Sequence, residues 1–276
     1  MYRTTVLACM TLFFAAPTHA DEVPEFATVI KEIVNARNFF SGYRIEYLLE
    51  KSDLAEASNV IYHGSLHVED RGFRHEQMIV GGGSKIETVD AEIKNMLGQP
   101  TVTIATAGSL YEIGHRGRYG TWRPVTLGAT REARPPFDPR SFGLALVGDM
   151  GQRWPLEVTA INLLGWDEPL TKWWVSDGVA GYDFDDYVVH VDTKRGFWPV
   201  FHQLVSRDKN GQLVVKSAAR LVLAEIDGMY QPVDAEIWSD RTHCRYEIKW
   251  SSVPVSDKLD PLNGKAAAER LSYPIR

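Results

Sequence analysis

The stretch FHQLVSRDKNGQLVVKSAARLVLAEIDGMYQPVDAEIW, residues 201–238, contains two short-range turn signals, Asn210–Gly211 and Asp227–Gly228. Each separates two apolar-rich alternating runs by two residues, the pattern of a β-hairpin whose central residues need positive φ. From Met229 onward the apolar positions Met229, Val233, Ala235 and Ile237 alternate with Asp234 and Glu236. The next run, HCRYEIKW at 243–250, divides the same way: Cys244, Tyr246, Ile248 and Trp250 inward, His243, Arg245, Glu247 and Lys249 outward. One wet face and one dry face indicate an antiparallel meander. Its dry face must be covered by other elements.

Candidates for that cover lie upstream. In PEFATVIKEIVNARNFF, 24–40, the apolar residues Phe26, Val29, Ile30, Ile33 and Val34 have helical spacing, with Pro24 suited to the first turn. Strand alternation follows in 41–52, and NVIYHGSLHVEDRGFRHEQMIVGGG, 59–83, reads as a hairpin turning at Asp70–Gly72. SKIETVDAEIKNMLG, 84–98, has capping-box spacing from Ser84 to Glu87 and admits a helix closed by Gly98. Strands resume in 101–122. Residues 128–170, rich in Pro, Gly, Trp and Leu, are expected to insert two short helices near 139–147 and 155–164. Later strands are expected near 171–176, 187–191, 197–206, 212–226, 229–238 and 242–250, and the tail 251–276 reads as loosely packed.

The amino-terminal residues 1–20 have a secretory signal pattern: Arg3, an apolar run from Val6 to Ala16, and small residues at Thr18 and Ala20. Export to the periplasm or beyond the cell, with cleavage near Ala20, is the expectation. The run is too short to cross a bilayer, and nothing later in the chain suggests a transmembrane segment. The 276 residues bear a net charge of −6 without a basic run, which argues against nucleic acid and anionic membranes as partners. Cleavage would leave Cys244 alone, so no intrachain disulfide could form, and stability would rest on the core.

Few residues suggest chemistry. Cys244 and His243 are adjacent on a strand and so point to opposite faces, which makes Cys244 a packed core residue. His63, His67 and His75 could gather on one face only if the 70–72 loop held three residues. A two-residue loop instead pairs Val68 with Phe73, collects Val60, Tyr62, Leu66, Val68, Phe73 and Ile79 on a buried face, and leaves the histidines at the surface. Asp183, Asp185 and Asp186 in GYDFDDY lack EF-hand spacing and read as a solvated turn. GGGS at 81–84 has no following Lys–Ser/Thr, so it is not a phosphate cradle. No metal, cofactor or catalytic residue is expected.

Aromatics carry more information. Trp154, Trp166, Trp173, Trp174 and Phe197 sit in or beside the 128–170 insert and, with Phe201, are the residues expected to line an apolar pocket. On the strand after residue 196, Phe197, Phe201 and Val205 share one face, while Trp198, Val200, His202 and Leu204 share the other. The first set lacks an ionisable group and is expected to face inward.

YVVHVDTKRGFWPVFHQLVSRDKNGQLV, 187–214, followed by AEIDGMYQPVDAEI, 224–237, resembles the late hairpins of the LolA/LolB/RseB-like superfamily. FDPRSFGL, 137–144, is similar to a segment of secreted relatives. The resemblance spans about residues 25–250. It implies an α+β, mainly antiparallel fold: a strongly curved half-barrel sheet with the amino-terminal and mid-chain helices over its concave face. It also implies a non-enzymatic envelope protein holding an acyl chain, a lipoprotein or another apolar ligand. The alternatives are an RseB-like sensor acting through an envelope protein partner, or a hydrolase of unrecognised type. No catalytic residue comes with the resemblance.

Overall fold

The computed structural model describes residues 23–38, 42–54, 58–69, 72–82, 97–98, 100–106, 109–116, 119–125, 135–144, 156–165, 170–239 and 242–251. The expected signal peptide, the body of the 84–98 helix and the tail beyond Ser251 lie outside the described residues. So do Trp154, Trp166 and most of the 128–170 insert.

The chain opens with helix α1 (Phe26–Asn38). Six strands follow: β1 (Tyr43–Asp53), β2 (Ser58–Glu69), β3 (Gly72–Gly82), β4 (Thr101–Thr106), β5 (Ser109–Arg116) and β6 (Tyr119–Val125). A one-turn 3-10 helix (Pro139–Ser141) and helix α2 (Leu156–Leu164) come next. Seven strands complete the fold: β7 (Leu170–Ser176), β8 (Val179–Phe184), β9 (Tyr187–Asp192), β10 (Trp198–Arg207), β11 (Leu213–Ile226), β12 (Met229–Ser239) and β13 (Thr242–Ser251).

These thirteen described strands form one antiparallel sheet in the order β6-β5-β4-β3-β2-β1-β13-β12-β11-β10-β9-β8-β7. Strand β13 returns beside β1, with Ile45 opposite Trp250 and Leu49 opposite Tyr246, so the first and last meanders join into one sheet. The sheet is not closed: β6 and β7 are its two ends, and the fold is the open half-barrel expected. No helix among the described residues is long and apolar enough to cross a membrane.

Several readings were correct in detail. Val68 pairs with Phe73, the register of the two-residue loop. Asp227 (φ 52°) and Gly228 (φ 77°) separate the paired residues Ile226 and Met229, a two-residue turn with both central residues left-handed. Cys244, Tyr246, Ile248 and Trp250 are buried, and the residues between them are more exposed.

Others are corrected. The Asn210–Gly211 hairpin has a five-residue connection, because Arg207 pairs with Leu213; Asp208 Oδ1 accepts the Asn210 and Gln212 amides and holds that loop. A register shift in β12 between the partners of Val222 and Leu223 breaks the alternation, so Met229 is 41% exposed while Gln231 and Pro232 are buried. The expected 139–147 helix begins as the single 3-10 turn, after which Gly143 takes φ +80°. GYDFDDY is not simply a turn. Its first half belongs to β8, with Tyr182 and Phe184 buried, and only Asp185–Asp186 form the connection to β9. Strand β8 is set up by Asp177 (φ 52°) and Gly178 (φ 84°), a second Asp–Gly turn.

Two apolar clusters fill the concave side. Val29, Ile30 and Ile33 of α1 and Leu156, Ala160 and Leu163 of α2 pack on Ala180, Tyr182, Val189 and Val191 of β8 and β9. The expected helical cover therefore exists, over the β7–β9 end. Toward β1, β12 and β13 no described α-helix covers the sheet. Phe137 and Phe142, which flank the 3-10 turn in the 135–144 segment, occupy that half with Trp198 among Tyr43, Tyr47, Leu221, Ile237, Tyr246 and Trp250.

Candidate binding site on the concave face

The 135–144 segment is a plug, and its interior position follows from its sequence. Phe137 and Phe142 stack at 5.8 Å between ring centroids. Phe137 meets Tyr47 edge-on at 5.1 Å, and Phe142 lies 5.0 Å from Tyr246. Such edge and tilted contacts suit the quadrupoles of aromatic rings. Gly143 lets the plug backbone touch β10, since a Cβ there would lie 2.1 Å from the Pro199 carbonyl oxygen. With φ at +80° as well, this position requires glycine.

Asp138, only 3% exposed, organises the plug. Its Oδ1 accepts the Arg140 amide at 3.0 Å, capping the 3-10 turn. Its Oδ2 accepts the Leu156 amide at 3.2 Å, which satisfies a donor in the first turn of α2. The Arg140 guanidinium closes on the same carboxylate through Nε at 3.0 Å and Nη2 at 2.8 Å. Ser141 donates its hydroxyl to the Asp138 carbonyl at 2.7 Å.

Arg37, in the last turn of α1, completes the latch. It is buried, its guanidinium lies 3.8 Å over the Trp198 ring, and it donates to the Arg140 carbonyl and, at 3.4 Å, to that of Phe197. Loss of water pulls its pKa well below the ordinary value, and the nearby Asp138 charge opposes that pull. Trp198 gives its indole N–H to the Tyr230 carbonyl at 2.6 Å, so its polar edge is satisfied inside the core. Helix α1, the plug and β10 thus meet at one ionic and cation–π knot.

Two buried histidines lie on the same face. His75 bonds the Tyr47 hydroxyl at 2.6 Å, and burial pushes its pKa down to about 4. The Tyr47 ring passes over Gly64, where a Cβ would lie 2.4 Å from it. Expected at the surface, His75 is instead buried, because a neutral imidazole with a hydroxyl partner is tolerated among apolar side chains. His202 lies 3.3 Å from the Ser217 hydroxyl, both fully enclosed. Burial pushes His202 down to about 4 as well, with a hydrogen bond to the Gly143 backbone pulling the other way. This Ser–His pair is a hydrogen bond inside the core.

Of the aromatic residues expected to line a pocket, Trp154 and Trp166 lie outside the described residues, and Trp173, Trp174, Phe197 and Phe201 do not gather at one place. Trp173 is 56% exposed on the end strand β7. Trp174 covers Gly181 and meets His190 at 5.0 Å, and His190 meets Phe201 at 5.0 Å. In register Phe201 lies opposite Arg220, which lies opposite Glu236 and then Arg245. That row is on the outer face, where Arg220 and Arg245 are exposed. The inward assignment on β10 is therefore reversed: Trp198 and His202 are buried, and Phe201 is on the outer side. Phe197 is half-buried at the rim with φ 54° and packs against the helical cluster. Sequence reading missed Arg37, Asp138, Phe137 and Phe142 as parts of the site. The available signal was Asp–Pro–x–Ser inside FDPRSFGL, a capping pattern next to two phenylalanines.

No family model matches the sequence, and no curated protein matches it either. Solved structures do. An outer membrane lipoprotein-sorting protein domain from Vibrio parahaemolyticus aligns at 8% identity with a TM-score of 0.44, over 87% of this chain and 97% of that one. A DUF1329 family protein from Desulfovibrio piger aligns at 10% identity and a TM-score of 0.46, over 87% and 97%. The MucA/MucB complex of Pseudomonas aeruginosa aligns at 13% identity and a TM-score of 0.30, over 85% of this chain and 60% of that one.

Proposed function

We propose that the protein is a non-enzymatic binder of an acyl chain or similar apolar ligand, held on the concave face between the sheet and the 135–144 plug. One observation carries this reading. The β1–β13 half of an apolar concave face is covered by a short irregular segment held by a polar latch, whereas the β8–β9 half is sealed by two helices. A cover fastened at Asp138, Arg140 and Arg37 can detach as a unit, because its aromatic side is replaceable by another apolar group of similar volume. The plug then stands where the ligand would lie, against Tyr47, Tyr246 and Leu221.

Native mass spectrometry of the protein purified after export is expected to show a co-purified lipid mass. A fluorescent fatty acid should be taken up more readily by Phe137→Ala, which opens space beside Tyr47. Absence of any bound mass, with no fatty-acid uptake by either form, would remove this reading.

A further inference from the structure

The β10–β11 hairpin extends past both of its neighbours. On one side β9 begins at Tyr187, opposite Leu204. On the other, the pairing of β12 with β11 ends at Ser239, opposite Ser217. Beyond those pairs, among the described residues, β10 and β11 pair as strands only with each other, through Val205–Val215, Ser206–Val214 and Arg207–Leu213. The Val205 amide donates to the Asp186 carbonyl at 2.8 Å and marks the root of the projection. Residues 206–216 are thus a two-stranded finger standing clear of the sheet.

Its composition is unusual for a solvated finger. Leu213 is 62% exposed, Val214 36% and Val215 44%. Neighbouring strand residues point to opposite faces, so aliphatic groups are presented on both sides. A groove in a protein partner would cover one side and leave the other wet. The same finger holds Arg207, Lys209 and Lys216, all exposed, against one carboxylate. That carboxylate, Asp208, is occupied by the turn amides of Asn210 and Gln212. In a chain of net charge −6 this is a local excess of positive charge at an apolar tip. Long cationic side chains can keep their heads in water while aliphatic neighbours enter an apolar phase. Clustered Lys and Arg also draw a protein to anionic lipid, each worth about 1 kcal/mol near the surface.

We infer that the 206–216 finger is a membrane-contact device that inserts Leu213, Val214 and Val215 into the interface of an anionic lipid surface while Arg207, Lys209 and Lys216 engage the headgroups. The negative charge elsewhere on the chain makes the tip-first approach the favoured one. This assignment does not depend on the ligand proposed for the concave face.

Flotation with phosphatidylcholine vesicles, with and without phosphatidylglycerol, tests it on the protein purified after export. The expected result is flotation with the anionic vesicles, weakened by salt. Binding should fall by about tenfold or more in Leu213→Asp/Val215→Asp and, separately, in Lys209→Glu/Lys216→Glu. All four positions are exposed, so both variants should keep the wild-type melting temperature. No flotation of the wild type, equal flotation with and without anionic lipid, or flotation unchanged by both variants would each overturn the inference. So would a concentration-dependent dimer that Leu213→Asp/Val215→Asp abolishes, if vesicles do not bind, because the finger would then be a contact between copies of this chain.

Discussion

On β10, Trp198 and Phe201 are three positions apart, and strand alternation sets them on opposite faces. Trp198 is 2% exposed, anchored by its indole N–H on Tyr230 and roofed by Arg37. Phe201 is half-buried on the outer face against His190. Truncating Trp198 therefore leaves a cavity, an unpaired Tyr230 carbonyl and a buried guanidinium without its ring. Trp198→Ala should cost about 3–5 kcal/mol. Phe201→Ala removes only a partly covered ring and should cost about 1 kcal/mol. Urea denaturation of the two variants checks the difference, and equal losses would mean that the two faces of β10 are misassigned. The face of Phe201 lacks an ionisable group, which in the sequence favours it as the inward one. That criterion failed because His202 is neutral when buried and has Ser217 as a partner. Polarity alone does not reveal whether a histidine has a partner.

Among the elements, the plug has most to lose from a single change. Asp138 neutralises Arg140, offsets the charge on Arg37, and caps the 3-10 turn and α2 at once. Asp138→Asn keeps the shape but removes the carboxylate that Arg140 grips and that offsets the charge of the buried Arg37. Removing one partner of a buried ion pair costs about 3–5 kcal/mol, so a loss of that order is expected in urea denaturation. Asp138→Asn should also increase fatty-acid uptake if the plug is a detachable cover. The elements themselves were largely legible in the sequence. Helix α1, helix α2 and the β9–β13 meander follow from apolar periodicity and Asp–Gly turns. Strand β8 was lost because Asp183, Asp185 and Asp186 suggested solvent, although Asp183 only alternates with the buried Tyr182 and Phe184. The site was far less legible. Periodicity tells which face of a strand or helix is dry, but not which distant residue lies against it. Arg37 and Arg140 are separated by 103 residues, and Arg37 and Phe197 by 160. Nothing local to any of these positions encodes the meeting.

Over the whole molecule, acid should weaken both halves of the concave face together. His75 lies in the half closed by the plug, and His202 lies beside Tyr187 at the helical half. Burial pushes each from an ordinary value of 6.5 down to about 4, so both rings are neutral in the folded protein at pH 7. In the unfolded chain they take up protons near the ordinary value. Between pH 6.5 and about 4 the unfolded state therefore binds more protons, and stability falls as the pH falls. Each histidine contributes a loss of up to about 1.4 kcal/mol per pH unit across that window. The single continuous sheet couples the two clusters, so one cooperative transition is expected to move, not two. Urea midpoints measured at pH 7, 5.5 and 4.5 should fall steadily for the wild type. His75→Gln/His202→Gln retains hydrogen-bonding side chains at both positions but cannot titrate there, and its midpoints should fall less steeply. Carboxylate protonation acts on both proteins alike, so the difference in slope isolates the histidines. Identical slopes would show that the two imidazoles do not govern the acid limb, and their burial would then have no consequence for how the half-barrel holds together.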